Sequence, residues 1–265
     1  MIRVAVCGAY GKMGREVLKA VLAAEDLELV GAADPNAPAG ADAGLLAGEG
    51  PIGLPVDREL TVMLRERKPE VVVEFTSPAV VMNNLRVLLQ NKVCPVVGTT
   101  GLSKEDLAEL TALSQEQNTP VFIAPNFAIG AVLMMKMAQS AAKYLPHVEI
   151  IEMHHDQKLD APSGTALRTA QLIKEVRESL PQGHPNEKEL IPGARGSEFD
   201  GMRIHSVRLP GYVAHQEIIF GGLGQTLSIR HDSISRESFM PGVVIACRKV
   251  QNLQGVVVGL EHILN

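Results

Sequence analysis

Apolar residues follow two rhythms along the chain. In the first half, short unbroken apolar runs alternate with stretches whose apolar positions recur every three or four residues. Residues 2–8 (IRVAVCG), 27–34 (LELVGAAD), 70–76 (EVVVEFT), 94–100 (CPVVGTT) and 120–126 (PVFIAPN) are runs of the first kind and predict buried strands. Residues 14–26, with Val17, Leu18, Val21 and Leu22 apolar, predict a helix, as do residues 104–117 behind Ser103, a candidate N-cap. Strands alternating with helices in this way imply a parallel sheet covered on both faces.

The rhythm changes near residue 128. A long apolar stretch, 128–145, predicts one helix, followed by a strand at 148–155 (VEIIEMHH). A helix over 164–180 comes next, its packing face carried by Leu167, Ala170, Ile173, Val176 and Leu180, with Ser163 and Thr165 as N-cap candidates. After a polar, Gly/Pro-rich stretch at 181–201, strand-like runs occupy 202–222 and 225–234. The segments 237–253 and 255–264 predict apolar helices that fold back onto the first domain. The expected fold is α/β. A Rossmann-like parallel-sheet domain spans 1–127, with 236–265 returning to it, and an α+β domain with an open mixed sheet spans 128–235.

Composition narrows the function. The net charge of -5 and an aromatic content of 3% without Trp exclude nucleic-acid binding by phosphate neutralisation or base stacking. Cys7, Cys94 and Cys247 are scattered, with no CxxC, which fits a reducing cytoplasm better than a disulfide framework. The opening residues read as a strand, not a signal peptide, and no apolar run approaches the roughly 20 residues of a membrane span.

Two clusters carry the chemistry. Gly8, Gly11 and Gly14 lie between the first strand and the first helix, spaced G-x-x-G-x-x-G, with Tyr10 where the usual dinucleotide fingerprint has its middle glycine. Asp34 ends the second strand, where an acidic residue accepts hydrogen bonds from an adenosine ribose. Its charge favours NADH, whereas Lys12 and Arg15 near the same edge could attract the 2′-phosphate of NADPH, so both cofactors stay open. Thr76, Gly98, Thr99, Thr100 and Asn126 follow later strands at the sheet end where ligands bind.

The second cluster is HHDQKLDAPSGTA, residues 154–166. His154, His155 and Lys158 precede a helix start whose free N–H groups suit a carboxylate or phosphate. Two imidazoles and an ammonium beside it suit a small dianion and a proton transfer. A metal site lacks a familiar ligand spacing such as H-E-x-x-H, and a Ser163 nucleophile lacks G-x-S-x-G.

The motifs GAYGKMGR, GTTG, APNFAIG and above all HHDQKLDAPSGTA resemble the 4-hydroxy-tetrahydrodipicolinate reductase family over essentially the whole chain. The resemblance implies reduction of a cyclic dicarboxylate by NADH or NADPH in the diaminopimelate route to lysine. Hydride goes to C4 of the ring and a proton to the adjacent carbon. It implies His154 as general acid/base, Lys158 as proton donor, and His155, Gly164 and Thr165 as substrate contacts. Cofactor contacts are implied at Gly8, Ala9, Tyr10, Gly11, Lys12, Met13, Asp34, Gly98, Thr99, Thr100, Ala124, Pro125, Asn126 and Phe127. It further implies a homotetramer built through the second domain's sheet; the ligand spacing predicts no metal, and composition and run lengths no nucleic-acid or membrane partner. Asp156 and Gln157 stand where many members have basic residues; Asp156 is expected either to bond a neighbouring imidazole or to face water. Pro35 stands where some members carry an arginine suited to a 2′-phosphate, with Lys12 as the substitute.

Overall fold

A computed structural model describes residues 1–264 and divides the chain into two compact units. One is Met1–Ile129 with the segment from Arg236 onward; the other is Gly130–Ser235. The first unit opens with β1 (Ile2–Cys7), α1 (Lys12–Ala23) and β2 (Leu27–Ala33). It continues through α2 (Ala43–Ala47), β3 (Val56–Asp57), α3 (Leu60–Arg67), β4 (Val71–Glu74) and α4 (Val81–Gln90). β5 (Cys94–Val97), α5 (Lys104–Gln117) and β6 (Val121–Ile123) follow. The second unit holds α6 (Ile129–Ala142), β7 (His147–His154), α7 (Gly164–Lys174), β8 (Ser197–Phe199), β9 (Met202–Arg208), β10 (Ala214–Gly222) and β11 (Gln225–Ser233). The chain then returns to the first unit with α8 (Met240–Lys249) and β12 (Val256–Val258).

The first sheet is all parallel, in the order β12-β6-β5-β4-β1-β2-β3. Its central strands are β-branched and buried, Val71, Val72 and Val73 completely so, as expected for a sheet covered on both faces. Leu85, Leu88 and Leu89 of α4, Met63 and Leu64 of α3 and Leu110 of α5 pack over it into one core. α5 begins as expected: Ser103 accepts from the Asp106 amide while Asp106 accepts from the Ser103 amide, a reciprocal cap. The second sheet is mixed, in the order β11-β10-β7-β9-β8, with β7 and β9 its one parallel pair. No helix among the described residues is long and apolar enough to cross a membrane.

Several expectations are corrected. The segment 255–264 is not a helix. Val256–Val258 form β12, pairing Val256 with Val121 and Val258 with Ile123, and a 3-10 turn at Leu260–His262 follows. Three β-branched residues between Gly255 (φ +63°) and Gly259 (φ +108°) are punctuated as a strand. The helix expected over 164–180 ends at Lys174, where the Val176 amide tightens onto the Ile173 carbonyl, 3.1 Å away. Beyond it Arg177 is used as a tether, its Nη1 donating to Pro146 O (2.7 Å) and its Nη2 to Asp200 O (2.8 Å). Likewise the helix expected over 128–145 stops at Ala142. The stretches 35–69 and 77–93 carry α2, β3, α3 and α4, for which no elements were expected.

Candidate active site

The glycine-rich turn forms because two of its glycines have no room for a side chain. Gly8 has φ +83°, and a Cβ there would overlap the Phe75 carbonyl, its carbon only 2.8 Å away. The Gly8 amide donates to Ala33 O (2.9 Å) and the Gly11 amide back to Gly8 O (3.1 Å), so the chain doubles back over the end of β1. Gly11 caps α1 without a side-chain acceptor, which leaves the helix's first N–H groups open to an anion. Asp34 braces the turn. Its Oδ2 accepts from the Tyr10 amide (3.0 Å) and its Oδ1 from the Asn36 amide (2.9 Å). Each oxygen keeps a further lone pair for a ribose hydroxyl.

A cavity of about 510 Å³ opens beside these groups, lined by Gly8, Gly11, Asp34, Arg58, Thr76 and Asn84 among others. Its size and its position at the C-terminal ends of parallel strands fit a dinucleotide. Arg58 was not anticipated. It follows β3 and lies beside Asp34, its Nε and Nη2 donating to Pro35 O (3.2 and 3.0 Å). Lys12 does not line this cavity. With Met13, Gly98, Thr99 and Thr100 it borders a neighbouring one of about 420 Å³, which also touches Gly11 and Thr76. Arg15 turns back, stacked 4.7 Å over the Tyr10 ring and bonded to its carbonyl.

The remaining turns are only partly brought together. Pro125 meets Thr99 and Thr100 in a third, smaller cavity. The side chains of Ala9, Ala124 and Phe127 are buried in the core, Phe127 against Phe75 and Phe122 (5.8 and 6.1 Å between ring centroids). These three can therefore offer a ligand only their backbone. Asn126 accepts from the Ala128 amide (2.8 Å). Beneath the turns lies Glu74, fully buried, accepting from Thr76 Oγ1, Thr99 Oγ1 (2.5 Å) and Asn84 Nδ2 (3.2 Å). The Thr76 amide donates to Thr99 Oγ1 (2.8 Å), so one carboxylate aligns the ends of β4 and β5.

In the second unit, His154 closes β7, the central strand of its sheet, with Ala214 of β10 and Arg208 of β9 as register partners. Glu152, two residues earlier, shares its face by the strand's period of two. Its carboxylate is fully buried and lies 2.5 Å from His154 Nδ1. Arg208 grips both oxygens (2.9 and 2.7 Å), and the Ser163 amide donates to Oε1 (3.2 Å). Burial pushes the Glu152 carboxyl up, but the hydrogen bonds from His154 and Arg208 outweigh it and hold the group down at about 2. Ser163 is the N-cap of α7, its Oγ accepting from the Ala166 amide (3.2 Å); Thr165 lies inside the helix. Gly164 is exposed, and a Cβ there would meet open space, so a ligand can approach the helix start closely. His155 is exposed, and Lys158 Nζ lies 2.6 Å from Asp160 Oδ1. That ammonium holds Asp160 below the usual carboxylate range. Asp156 takes the second of its two expected settings: it is exposed and bonded to Gln157 (2.9 Å), so the carboxylate on the imidazole is Glu152.

Comparison with known proteins agrees with both halves. Residues 2–127 match the family model for the N-terminus of dihydrodipicolinate reductase, and residues 130–264 that for its C-terminus. The chain is 56% identical over 264 residues to the 4-hydroxy-tetrahydrodipicolinate reductase of Desulfitobacterium hafniense, covering 99% of this chain and 98% of the relative. It is 55% identical to that of Halalkalibacterium halodurans, covering 100% of both. Among solved structures, a dipicolinate-bound dihydrodipicolinate reductase from Paenisporosarcina sp. TG-14 superposes with a TM-score of 0.87 at 50% identity, covering 100% of both chains. An amine dehydrogenase from Mycobacterium smegmatis, 16% identical with a TM-score of 0.68, shares the fold.

Proposed function

The chain belongs to the dihydrodipicolinate reductase family, and from that premise we propose how its own residues serve the reaction. It is an NAD(P)H-dependent reductase of 4-hydroxy-tetrahydrodipicolinate, in the diaminopimelate route to lysine. A bound nicotinamide would supply the hydride for C4; loss of water removes the C4 hydroxyl and a proton from the adjacent carbon, and a proton returned to that carbon alongside the hydride leaves a net uptake of one proton.

The open first turn of α1 holds the pyrophosphate, Asp34 accepts from the adenosine ribose, and the turns at Gly98–Thr100 and 124–127 border the nicotinamide side. In the second unit one substrate carboxylate docks on the Gly164 and Thr165 amides at the start of α7, with His155 as a further cation or donor. Lys158 delivers the proton. His154, fixed through Nδ1, presents Nε2 to the substrate as general acid/base. The dicarboxylate bound by the Paenisporosarcina relative supports this dianion reading. A homotetramer in the cytoplasm belongs to the same reading: β11 is an edge strand with exposed residues, Leu227 among them, and an edge of this kind needs cover.

The observation that carries the proposal is the buried Glu152 holding a histidine at the loop that leads into an open helix start. The test is oxidation of the reduced nicotinamide, followed by its absorbance, with substrate generated by enzymatic condensation of pyruvate and aspartate semialdehyde. Oxidation that requires both precursors is expected with NADH, NADPH or both. Cofactor binding without oxidation would overturn it.

A further inference from the structure

We propose that the buried Glu152–Arg208 pair is the positioning unit of the catalytic loop, setting both the tautomer of His154 and the seat of residues 155–163. This rests on the reading that His154 acts in the reaction.

Four N–H donors converge on the Glu152 carboxylate. Oε1 accepts from Arg208 Nη2 and the Ser163 amide; Oε2 faces Arg208 Nη1 and His154 Nδ1. A carboxylate can only accept, so Nδ1 carries a proton, and neutral His154 has its lone pair on Nε2. That is the nitrogen left to face a ligand. Arg208 extends the hold. The same Nη2 also donates to Asp160 O (2.8 Å), and Nη1 to Val207 O (2.8 Å). The Leu209 amide donates to His154 O (3.1 Å), tying the end of β9 to the same point. One ion pair therefore holds the loop at its start through His154, in its middle through Asp160 and at its end through Ser163. Its Nε is buried without a hydrogen-bond partner among the described residues, a cost accepted for that geometry.

The arrangement predicts an asymmetric effect of Glu152→Gln. The amide oxygen best keeps the Oε1 position, because Arg208 Nη2 and the Ser163 amide there can only donate, whereas His154 Nδ1 on the other side can change to an acceptor. The NH2 group then faces His154 Nδ1, which must accept, so the proton moves to Nε2. Turnover should fall on the order of 100-fold or more, as when a histidine is left in the wrong tautomer. NADH affinity should stay within about twofold, because the glycine turn is not touched.

The decisive measurement is ¹⁵N NMR of the His154 ring in the full-length protein, read beside kcat and KM. Wild type should show the Nδ1–H signature, E152Q the Nε2–H signature, and Glu152→Asp a return to Nδ1–H with partial recovery of kcat. Retention of Nδ1–H in E152Q with turnover within about threefold of wild type would reduce the pair to a buried structural bridge and overturn the proposal. Arg208→Lys decides independently should E152Q fail to fold. It keeps a cation on Glu152 but loses the fork that reaches Asp160 O, so substrate KM should rise about tenfold with the tautomer unchanged. Unchanged KM and kcat in R208K would refute the clamp. Failure of the catalytic reading is distinguishable, since full turnover in His154→Ala would remove His154 from the reaction whatever its tautomer.

Discussion

Gly14→Ala tests the cofactor turn most directly, because two rules give it opposite signs. Gly14 is buried in the first turn of α1. A Cβ there would overlap the Gly8 carbonyl oxygen and stand 2.8 Å from Ala9 Cα, whereas ordinary contact begins at 3.4 Å. Relief requires α1 to move away from the turn by about an ångström. Val17, Leu18 and Val21, all fully buried, would lose their fit, at about 1–3 kcal/mol. In an exposed helix the same change would gain about 1 kcal/mol. The net expectation is a loss of about 0–2 kcal/mol in guanidinium unfolding. The cost to binding is larger. Amides displaced by about an ångström leave the hydrogen-bonding range to a pyrophosphate oxygen. Losing one or two charge-assisted bonds at about 1.5–3 kcal/mol each weakens NADH on the order of 100-fold. Calorimetric titration with NADH and circular dichroism in guanidinium measure both. A G14A variant that gains stability and binds NADH within about threefold of wild type would show that the turn does not hold the cofactor this way.

Three other outcomes are expected. Lys158→Ala should lower turnover at least about 100-fold with NADH affinity unchanged; parallel loss of both would place Lys158 in cofactor binding. Arg58→Ala should raise the KM for NADPH about tenfold and leave that for NADH nearly unchanged, since the guanidinium beside Asp34 suits a 2′-phosphate; equal rises would assign it to the shared adenosine. Glu152, held at about 2 against an ordinary 4.5, contributes up to about 3 kcal/mol of stability. Its folded pKa is depressed, so that contribution is complete above pH 4.5 and disappears as pH falls through about 2. Acid unfolding followed by circular dichroism should be less steep between these limits in E152Q, and identical slopes would refute the assignment.

Most of the parallel sheet was legible because β1, β2, β4, β5 and β6 each left a short, mostly apolar run, with α1 and α5 expected as helices between them, whereas α3 and α4, which also cover it, were not anticipated. β3 and β12 were not legible, being two and three residues long and fixed by partners distant in sequence. At the site, the His-His-Lys loop and its helix start stood out by residue type. Glu152 did not, because a lone carboxylate in an alternating strand reads as solvent-facing; only its place beside Arg208 and His154 shows it buried. Arg58 was hidden for the same reason. It comes to Pro35, next to Asp34, through the pairing of Ala33 with Asp57, and not through nearness in sequence. Glu74 left one faint signal, an acidic residue ending a run of valines.

The position of β12 bears on how the protein is made. The parallel sheet begins with β1 but gains its last strand beside β6 only after residue 258 has left the ribosome. α8, which packs against β1, β4 and β5, arrives barely earlier. The second unit, encoded between these pieces, has all five of its strands by residue 233 and can fold while its host waits. During that interval the edge of β6 is bare and able to pair with another nascent chain. Slow synthesis through residues 236–258 would lengthen the exposure. Chaperone dependence of this protein should therefore track the delay before its last strand appears more closely than its final stability.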